Sequence, residues 1–576
     1  QSIQLTGCNL QSFYENLESL RAKMEKSSSK TGTGDHLEEL TTLEAEIRGL
    51  ACCAEDMVDV ESRNVFLAEE KITRRRDSWE LPFLLKEAVE NIDSAINKWM
   101  TVQNMYNMTK TIELEEAQNS IIASTLSQHV VEPENMMVGN ENEFEMIQER
   151  IARGTKELEV VSIVGMGGIG KTTLANKIYT DAFIISHFDI RAKVTVSQEY
   201  CRKNVLLRLL SSMSGETRGF YEEQDDGQLA ERLQKLLKVG RYLVVIDDIW
   251  TTEAWDNIKL CFPDCKCGSR LLMTTRNMNV AEYASSGYPP HQMRLLNFEE
   301  SWDLLHRKVF EGKCFSLEFE EIGKQIALKC GGLPLAIIVI AGLLSKMDKV
   351  LGEWKGVAEN VSSVVSTDVD VQCMRVMALS YHHLPHRLKP CFLYFAVFPE
   401  DEVIFVDKLM ELWVVEGFLE AEETTTVEEV AEQCLKDLID RSLVFIHNLS
   451  FDEKIESCGM HDVTRELCLR EARKIKFVNV IRREYDQNPC SQSMCFPSKS
   501  RGRISIQLIN MPDHVFEEKL ARYPSNAVSS IICFRRLWTM PKLLCFKRLR
   551  VLDLALVRCG TFPSGIIDLI HLRYLA

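Results

Sequence analysis

The 576-residue sequence predicts a multidomain chain. A helical bundle or coiled coil comes first, then an α/β domain on a parallel sheet, then short helices with a few strands, then the start of an α/β repeat. Three observations predict this order. Leu40, Leu43, Ile47, Leu50, Ala54 and Met57 recur in steps of three and four, a heptad-like seam. From Val138 onward, apolar strand candidates alternate with helical patterns, as in a parallel sheet covered on both faces. Near the end, Leu549-Arg550-Val551-Leu552-Asp553-Leu554 is echoed by Leu572-Arg573-Tyr574-Leu575, a period of 23 residues (572 − 549).

Composition narrows the function classes. Hydrophobic residues make up 45% and charged residues 26%, ordinary for a water-soluble fold. The net charge of −16 argues against general nucleic-acid affinity, which needs a basic face. Arg74-Arg75-Arg76 and the basic residues between Lys499 and Arg503 are too short to supply one. The 19 cysteines are odd in number and no secretory segment opens the chain, so free thiols in a reducing compartment are expected. Cys52-Cys53 and Cys265-Lys266-Cys267 lack the second pair that zinc spacing requires. The longest apolar run, Leu333–Leu344, is too short to cross a bilayer and contains Pro334 and Gly342.

In chain order, the segment from about Leu10 to Val130 reads as helical. Ser27–Gly34 forms a turn, and a second amphipathic segment from Leu81 to Met108 carries Trp99. Glu55 and Asp59 share a helical face at i, i+4, as either a docking stripe or a solvated face would.

The stretch Val160–Thr173 organises the rest. A β-branched run leads into Gly165-Met166-Gly167-Gly168-Ile169-Gly170-Lys171-Thr172-Thr173, and Leu174, Ala175, Ile178 and Tyr179 continue on one helical face. This is strand, phosphate loop and helix at the spacing G-x-x-x-x-G-K-T. Glycines at 165, 167, 168 and 170 let backbone N–H groups close around phosphate oxygens. Lys171 reaches the β- and γ-phosphates, the Thr172 hydroxyl suits Mg²⁺, and the helix N-terminus adds partial positive charge.

Three further strands are predicted, at Ala192–Val196, Tyr242–Asp248 and Arg270–Arg276. The second delivers two carboxylates to the sheet edge, 76 residues beyond Lys171 (247 − 171). Asp247 is suited to hold Mg²⁺ through water and Asp248 to polarise an attacking water. Arg276, ending the next strand, is either a γ-phosphate sensor or a surface cation. Pro334 rigidifies the turn after Cys330-Gly331-Gly332-Leu333, as a helix start or as a face for adenine. Met460-His461-Asp462 precedes a helix at Val463–Arg473. Asp462 can cap that helix, or His461 can donate to a nucleotide phosphate. Two repeat units cannot bury their leucines alone, so a longer array is expected.

This ordered set of motifs resembles the plant nucleotide-binding leucine-rich-repeat immune receptors of the coiled-coil class, and most of all their late-blight resistance group. Glu55–Asp59 resembles the family's acidic motif and Gly165–Thr173 its phosphate loop. Phe188–Ser197 resembles the next motif, with Lys193 where the family usually has Trp. Leu243–Trp250 matches the Walker B region with its trailing Trp, and Gly268–Arg276 the strand after it. Gly332–Leu335, Cys391–Phe395 with Phe398–Asp401, and Met460–Asp462 match the remaining signatures.

The resemblance implies a helical coiled-coil domain at 1–130, a P-loop nucleotide-binding domain at 131–295 and a helical domain at 296–375. A winged-helix domain at 376–485 and the first leucine-rich repeats at 486–576 follow. It implies ADP at rest and ATP on activation. Val138 and Gly139 lie near adenine and ribose, Pro334 touches the adenine, His461 touches the β-phosphate, and Thr173 belongs to the phosphate loop. Exchange opens the module and triggers oligomerisation and cell death. Implied partners are a pathogen effector or a guarded host protein, further copies or helper receptors, and the repeat array against Glu55–Asp59. The location implied is cytoplasmic, with peripheral membrane association as an option. Two other readings stay open: an ordinary P-loop ATPase whose purpose is turnover, and a winged-helix transcriptional regulator.

Overall fold

The computed structural model describes residues 138–139 and 141–481 apart from 197–199, 215–223, 286, 311–314, 363–368 and 422–424. It also describes 502–507, 523, 528–534, 545–555, 564–576 and scattered helical positions between 43 and 102. Of the heptad-like seam, Ile47 and Leu50 are buried, as are Ala95 and Trp99 of the second helical segment. Leu40, Ala54, Met57 and Glu55–Asp59 lie outside the described residues.

Helix α1 (Glu141–Arg153) leads into β1 (Glu159–Val164), α2 (Lys171–Thr180), α3 (Ala182–His187) and β2 (Ile190–Thr195). Then come α4 (Arg202–Ser214), α5 (Asp226–Leu237), β3 (Tyr242–Asp247), α6 (Thr252–Lys259), β4 (Arg270–Thr275), α7 (Met278–Ala284) and β5 (His291–Gln292). The strands form one parallel sheet in the order β2-β3-β4-β1-β5. Each predicted strand is present, with the first shifted by two residues. β5 has two residues, too few for any pattern to announce it.

Strand alternation builds two cores, because successive side chains point to opposite faces. Val161, Ile163, Leu243, Val245 and Leu272 pack with Leu174, Ala175 and Ile178 of α2. Val160, Val244, Ile246, Leu271 and Met273 pack with Leu206, Leu209 and Leu210 of α4 and Leu229 and Leu233 of α5. The carboxyl ends of β1, β3 and β4 therefore share one edge.

A helical unit follows: α8 (Phe298–Val309), α9 (Leu317–Lys329), α10 (Pro334–Lys346) and α11 (Leu351–Ser362). Asn297 caps α8 in a reciprocal box with Glu300. The apolar run is α10, buried on nearly every side, as expected of a helix apolar all round inside a protein. Among the described residues no helix is long and apolar enough to cross a membrane.

Next come α12 (Val369–His382), α13 (Leu388–Tyr394) and a 3₁₀ turn (Phe395–Val397). Then follow β6 (Ile404–Phe405), α14 (Val406–Glu416), α15 (Val427–Asp440), the hairpin β7 (Phe445–Leu449) and β8 (Ile455–Gly459), and α16 (Asp462–Lys474). β6, β8 and β7 form an antiparallel sheet beside these helices, a winged-helix arrangement.

The last layer is a parallel sheet of β9 (Asn479–Ile481), β10 (Gly502–Ile506), β11 (Val528–Cys533), β12 (Val551–Asp553) and β13 (Tyr574–Leu575). Val551 pairs with Tyr574 and Leu552 with Leu575, the same 23-residue offset (574 − 551) seen in the sequence.

Candidate functional site

The phosphate loop joins β1 to α2. Gly170 sits in the left-handed region at φ 104° and starts α2, where any Cβ would be strained. Lys171 is 6% exposed, and its Nζ donates to the Met166 carbonyl at 2.8 Å inside the loop. Thr172, in contrast, is open to solvent, and Thr173 is half-buried.

Thr172 Oγ1 donates to Asp247 Oδ1 at 3.1 Å, so the loop and the end of β3 meet. Thr274 on β4 donates to the same Oδ1 at 2.5 Å and accepts from the Asp248 N–H at 2.8 Å. Sequence reasoning missed Thr274, although β4 was predicted, because a strand-end threonine has many uses. The chain leaves β3 at Asp248 with φ 58°, a conformation uncommon outside glycine. Burial pushes the Asp248 carboxyl up to about 6; Arg276 and Lys171 pull it down, and Asp247 and Asp401 push it further up.

Arg276 does more than end a strand. Its guanidinium lies over the Trp250 ring at 4.6 Å and its Nε is 3.8 Å from Asp248 Oδ1. Its NH2 group pairs in direct contact with Asp462 of α16. A Cβ built on Gly167 would lie 2.9 Å from Val463 Cγ2 and 3.0 Å from Arg276 NH1. The winged helix therefore presses against the phosphate loop, which leaves room for no side chain at 167.

α10 closes the cleft from a third side. Pro334 occupies its first turn, where a missing N–H costs nothing, and is half-buried. The next N–H, of Leu335, donates to the Gly168 carbonyl at 3.2 Å. Gly332, at φ 76°, passes so close to Leu296 that a Cβ would sit 2.2 Å from its carbonyl oxygen. Val138 packs on the core, and the Gly139 carbonyl accepts from Arg294, which forks onto Glu300 at 2.7 and 2.8 Å.

His461 is the N-cap residue of α16, with its ring 4.8 Å from that of Phe445. Its surface is exposed, and the protein around the ring lowers its pKa by desolvation. Asp462 is the first helical residue rather than the cap. Its carboxylate accepts from the Val463 N–H at 2.7 Å and turns to Arg276. Asp401 lies in the loop before β6. Its carbonyl accepts from Arg208 at 3.3 Å, and Arg208 also donates to Thr195 at the end of β2.

These contacts bring together the glycine loop, Lys171, Thr172, Asp247, Asp248 and Arg276, with Leu335 beside Pro334 and Asp462 beside His461, whereas Val138 packs on the core, Gly139 meets Arg294 and the His461 ring meets Phe445. The donor set fits a phosphate chain. Thr172 with Asp247 fits a hard cation that keeps most of its water, the usual habit of Mg²⁺. Among the described residues no cluster of three or more His, Cys, Asp or Glu could cage a metal alone. Cys265 and Cys267 are exposed free thiols.

Fold and loop define a P-loop nucleotide-binding protein with a winged helix folded onto its site. The sequence comparisons agree: residues 140–314 match the NB-ARC domain, and residues 397–468 match the disease resistance protein winged helix domain. The chain thus carries an NB-ARC domain and a disease resistance winged helix domain, and its homologues are late blight resistance proteins. It is 40% identical to the putative late blight resistance protein homologue R1B-14 of Solanum demissum over 64% of this chain and 28% of that protein. It is 35% identical to homologue R1B-16 of the same plant over 80% of this chain and 36% of that protein. It therefore spans only about a third of the length of these relatives. Among solved structures, a STAND ATPase from Pyrococcus horikoshii aligns over 59% of this chain and 44% of its own at 20% identity. Its TM-score of 0.37 is too low to carry an argument.

Proposed function

We propose that this chain is the switch core of an intracellular plant immune receptor, closed on ADP at rest and opened by exchange for ATP. The Arg276–Asp462 pair beside Gly167 carries the reading. It commits to the winged helix the cation that β4 aims at the phosphate side of the cleft. A third phosphate needs that cation, so triphosphate and closure compete for it. A ligand moves such an equilibrium only by its differential affinity for the two states.

The roles follow from position. Gly165, Gly167, Gly168 and Gly170 with Thr173 line the phosphate cradle, and Lys171 offers charge to the β-phosphate. Val138, Gly139 and Pro334 form the adenosine side, and His461 donates to the β-phosphate. Thr172 and Asp247 would hold Mg²⁺, which supplies positive charge against the phosphates when bound. The 23-residue ladder offset of β12 and β13 supports reading the last sheet as the first leucine-rich repeats. Recognition of an effector or guarded host protein, oligomerisation and cell death are further parts of this proposal.

One observation favours a second activity at the same site. Asp248, with its pKa near 6, suits a general base for water. Slow hydrolysis that resets the switch fits it better than rapid turnover, because Arg276 is engaged elsewhere in the closed form.

The purified protein should release ADP on denaturation, as read by chromatography of the supernatant. Asp462→Val should free Arg276, speed ADP release and cause spontaneous cell death on expression in leaf tissue. A silent variant that keeps its ADP would contradict the reading.

A further inference from the structure

We infer that Trp250 is a positioning residue that holds Arg276 at the phosphate loop whether the winged helix is docked or not. The inference rests on the nucleotide-switch reading and names the support on which its movable cation stands.

Backbone pairing sets the two side chains next to each other. Beyond the paired part of β3 and β4, the Ile249 N–H donates to the Thr274 carbonyl at 2.9 Å. Thr275 Oγ1 donates to the Ile249 carbonyl at 2.5 Å. Trp250 is the residue after Ile249, and Arg276 the residue after Thr275. Both therefore leave adjacent strand ends, and the guanidinium lies 4.6 Å above the indole. Every part of this arrangement belongs to the α/β domain, so undocking α16 leaves it intact.

The ring takes the guanidinium face and leaves its N–H edges free for other work. The structure uses one of those edges, NH2, for Asp462; Asp248 Oδ1 stands 3.8 Å from Nε, and NH1 faces Gly167. A flat support with open edges lets one partner be traded for another without a change of rotamer. Trp gives the strongest cation–π attraction of the aromatic residues. Its Nε1–H is buried without a hydrogen-bond partner among the described residues, a cost that Phe would avoid. Ring strength over the arginine gives that cost a reason.

The test measures release of a fluorescent ADP analogue from wild type, Trp250→Leu, Trp250→Phe, Arg276→Ala and the double variant Trp250→Leu/Arg276→Ala. Trp250→Leu should speed release about three- to thirty-fold, the span of an exposed to a desolvated cation–π contact. Trp250→Phe should recover most of that loss, and the double variant should release no faster than Arg276→Ala alone. Equal behaviour of Leu and Phe, or multiplied effects in the double variant, would overturn the inference. Should Trp250→Leu fail to fold, Trp250→Met carries the same comparison. Failure of wild type to hold ADP would instead reject the switch reading. The Trp250–Arg276 coupling is then read from thermal midpoints of the nucleotide-free proteins, where purely additive effects would reject it.

Discussion

Lys171 shows how much one side chain does here. In the structure its ammonium is buried and turned onto the Met166 carbonyl, so it is already inside the loop it serves. An arginine carries the same charge on a larger planar fork that cannot occupy that space as a point charge. Lys171→Arg should weaken ADP binding about ten- to hundredfold, the value of a charge-assisted hydrogen bond. ADP content of the purified variant, or calorimetric titration, checks this; unchanged content would remove Lys171 from the phosphate site. The glycine spacing made this residue legible in the sequence. Asp462 was legible as a helix-start residue and as part of a family signature, but not as an ion-pair partner, since Arg276 lies 186 positions away (462 − 276) and no local pattern links them.

Among the elements, α14 and β10 show how the winged helix is joined to the last sheet. Glu416, ending α14, accepts from Arg503 at 2.9 Å and from Ser530 on β11 at 2.6 Å. Phe418 and Phe477 lie 4.9 and 4.2 Å from the same guanidinium. Both charged groups are buried. Removing one partner strands the other charge away from water, so Arg503→Met should lower stability by about 3–5 kcal/mol. Arg503→Met with Glu416→Leu should recover much of that loss, because two apolar groups leave no buried charge. Urea unfolding followed at the winged-helix tryptophan, Trp413, tests both variants; equal stability of the single variant and wild type would place this pair in water. In the sequence Arg503 belongs to a short basic cluster, too short for a binding face. The structure buries it, because the aromatic and acidic partners come from the preceding domain.

Across the whole molecule, closing three units around one cleft forces carboxylates together. Asp401 comes from the winged-helix side and Asp247 from β3. Asp401 is exposed at its own surface, yet the protein packed around it, Glu400 and then Asp247 push its carboxyl up to about 6, against the pull of Arg208 and Arg465. A raised carboxyl pKa means that folding favours the protonated form. Asp401 then opposes folding above about pH 6, and the opposition disappears as pH falls from about 6 to about 4. Asp401→Asn should therefore stabilise the nucleotide-free, metal-free protein at about pH 7.5, and the gain over wild type should shrink towards about pH 4.5. Asparagine tolerates the φ of 56° at this position, so strain does not mask the effect. Urea midpoints of both proteins at the two pH values give the difference directly; a gain independent of pH would refute the electrostatic account.

Short-range chemistry was readable from residues alone. Strand, loop and helix around Lys171, the acid pair after β3, the apolar helix at Leu333–Leu344 and the 23-residue echo are each local patterns of spacing and hydrophobicity. They survive folding because neighbours in sequence set them. Contacts between distant segments could not be read that way. The Arg276–Asp462 pair, Val463 against Gly167, Leu335 on Gly168, Asp401 beside the β3 carboxylates and Glu416 on Arg503 all join segments far apart in the chain. Their energies depend on burial and on the sign of charge across an interface, and both exist only once the domains have packed. The phosphate-loop chemistry was therefore a local matter, while the docking of the winged helix on that loop emerged from long-range packing.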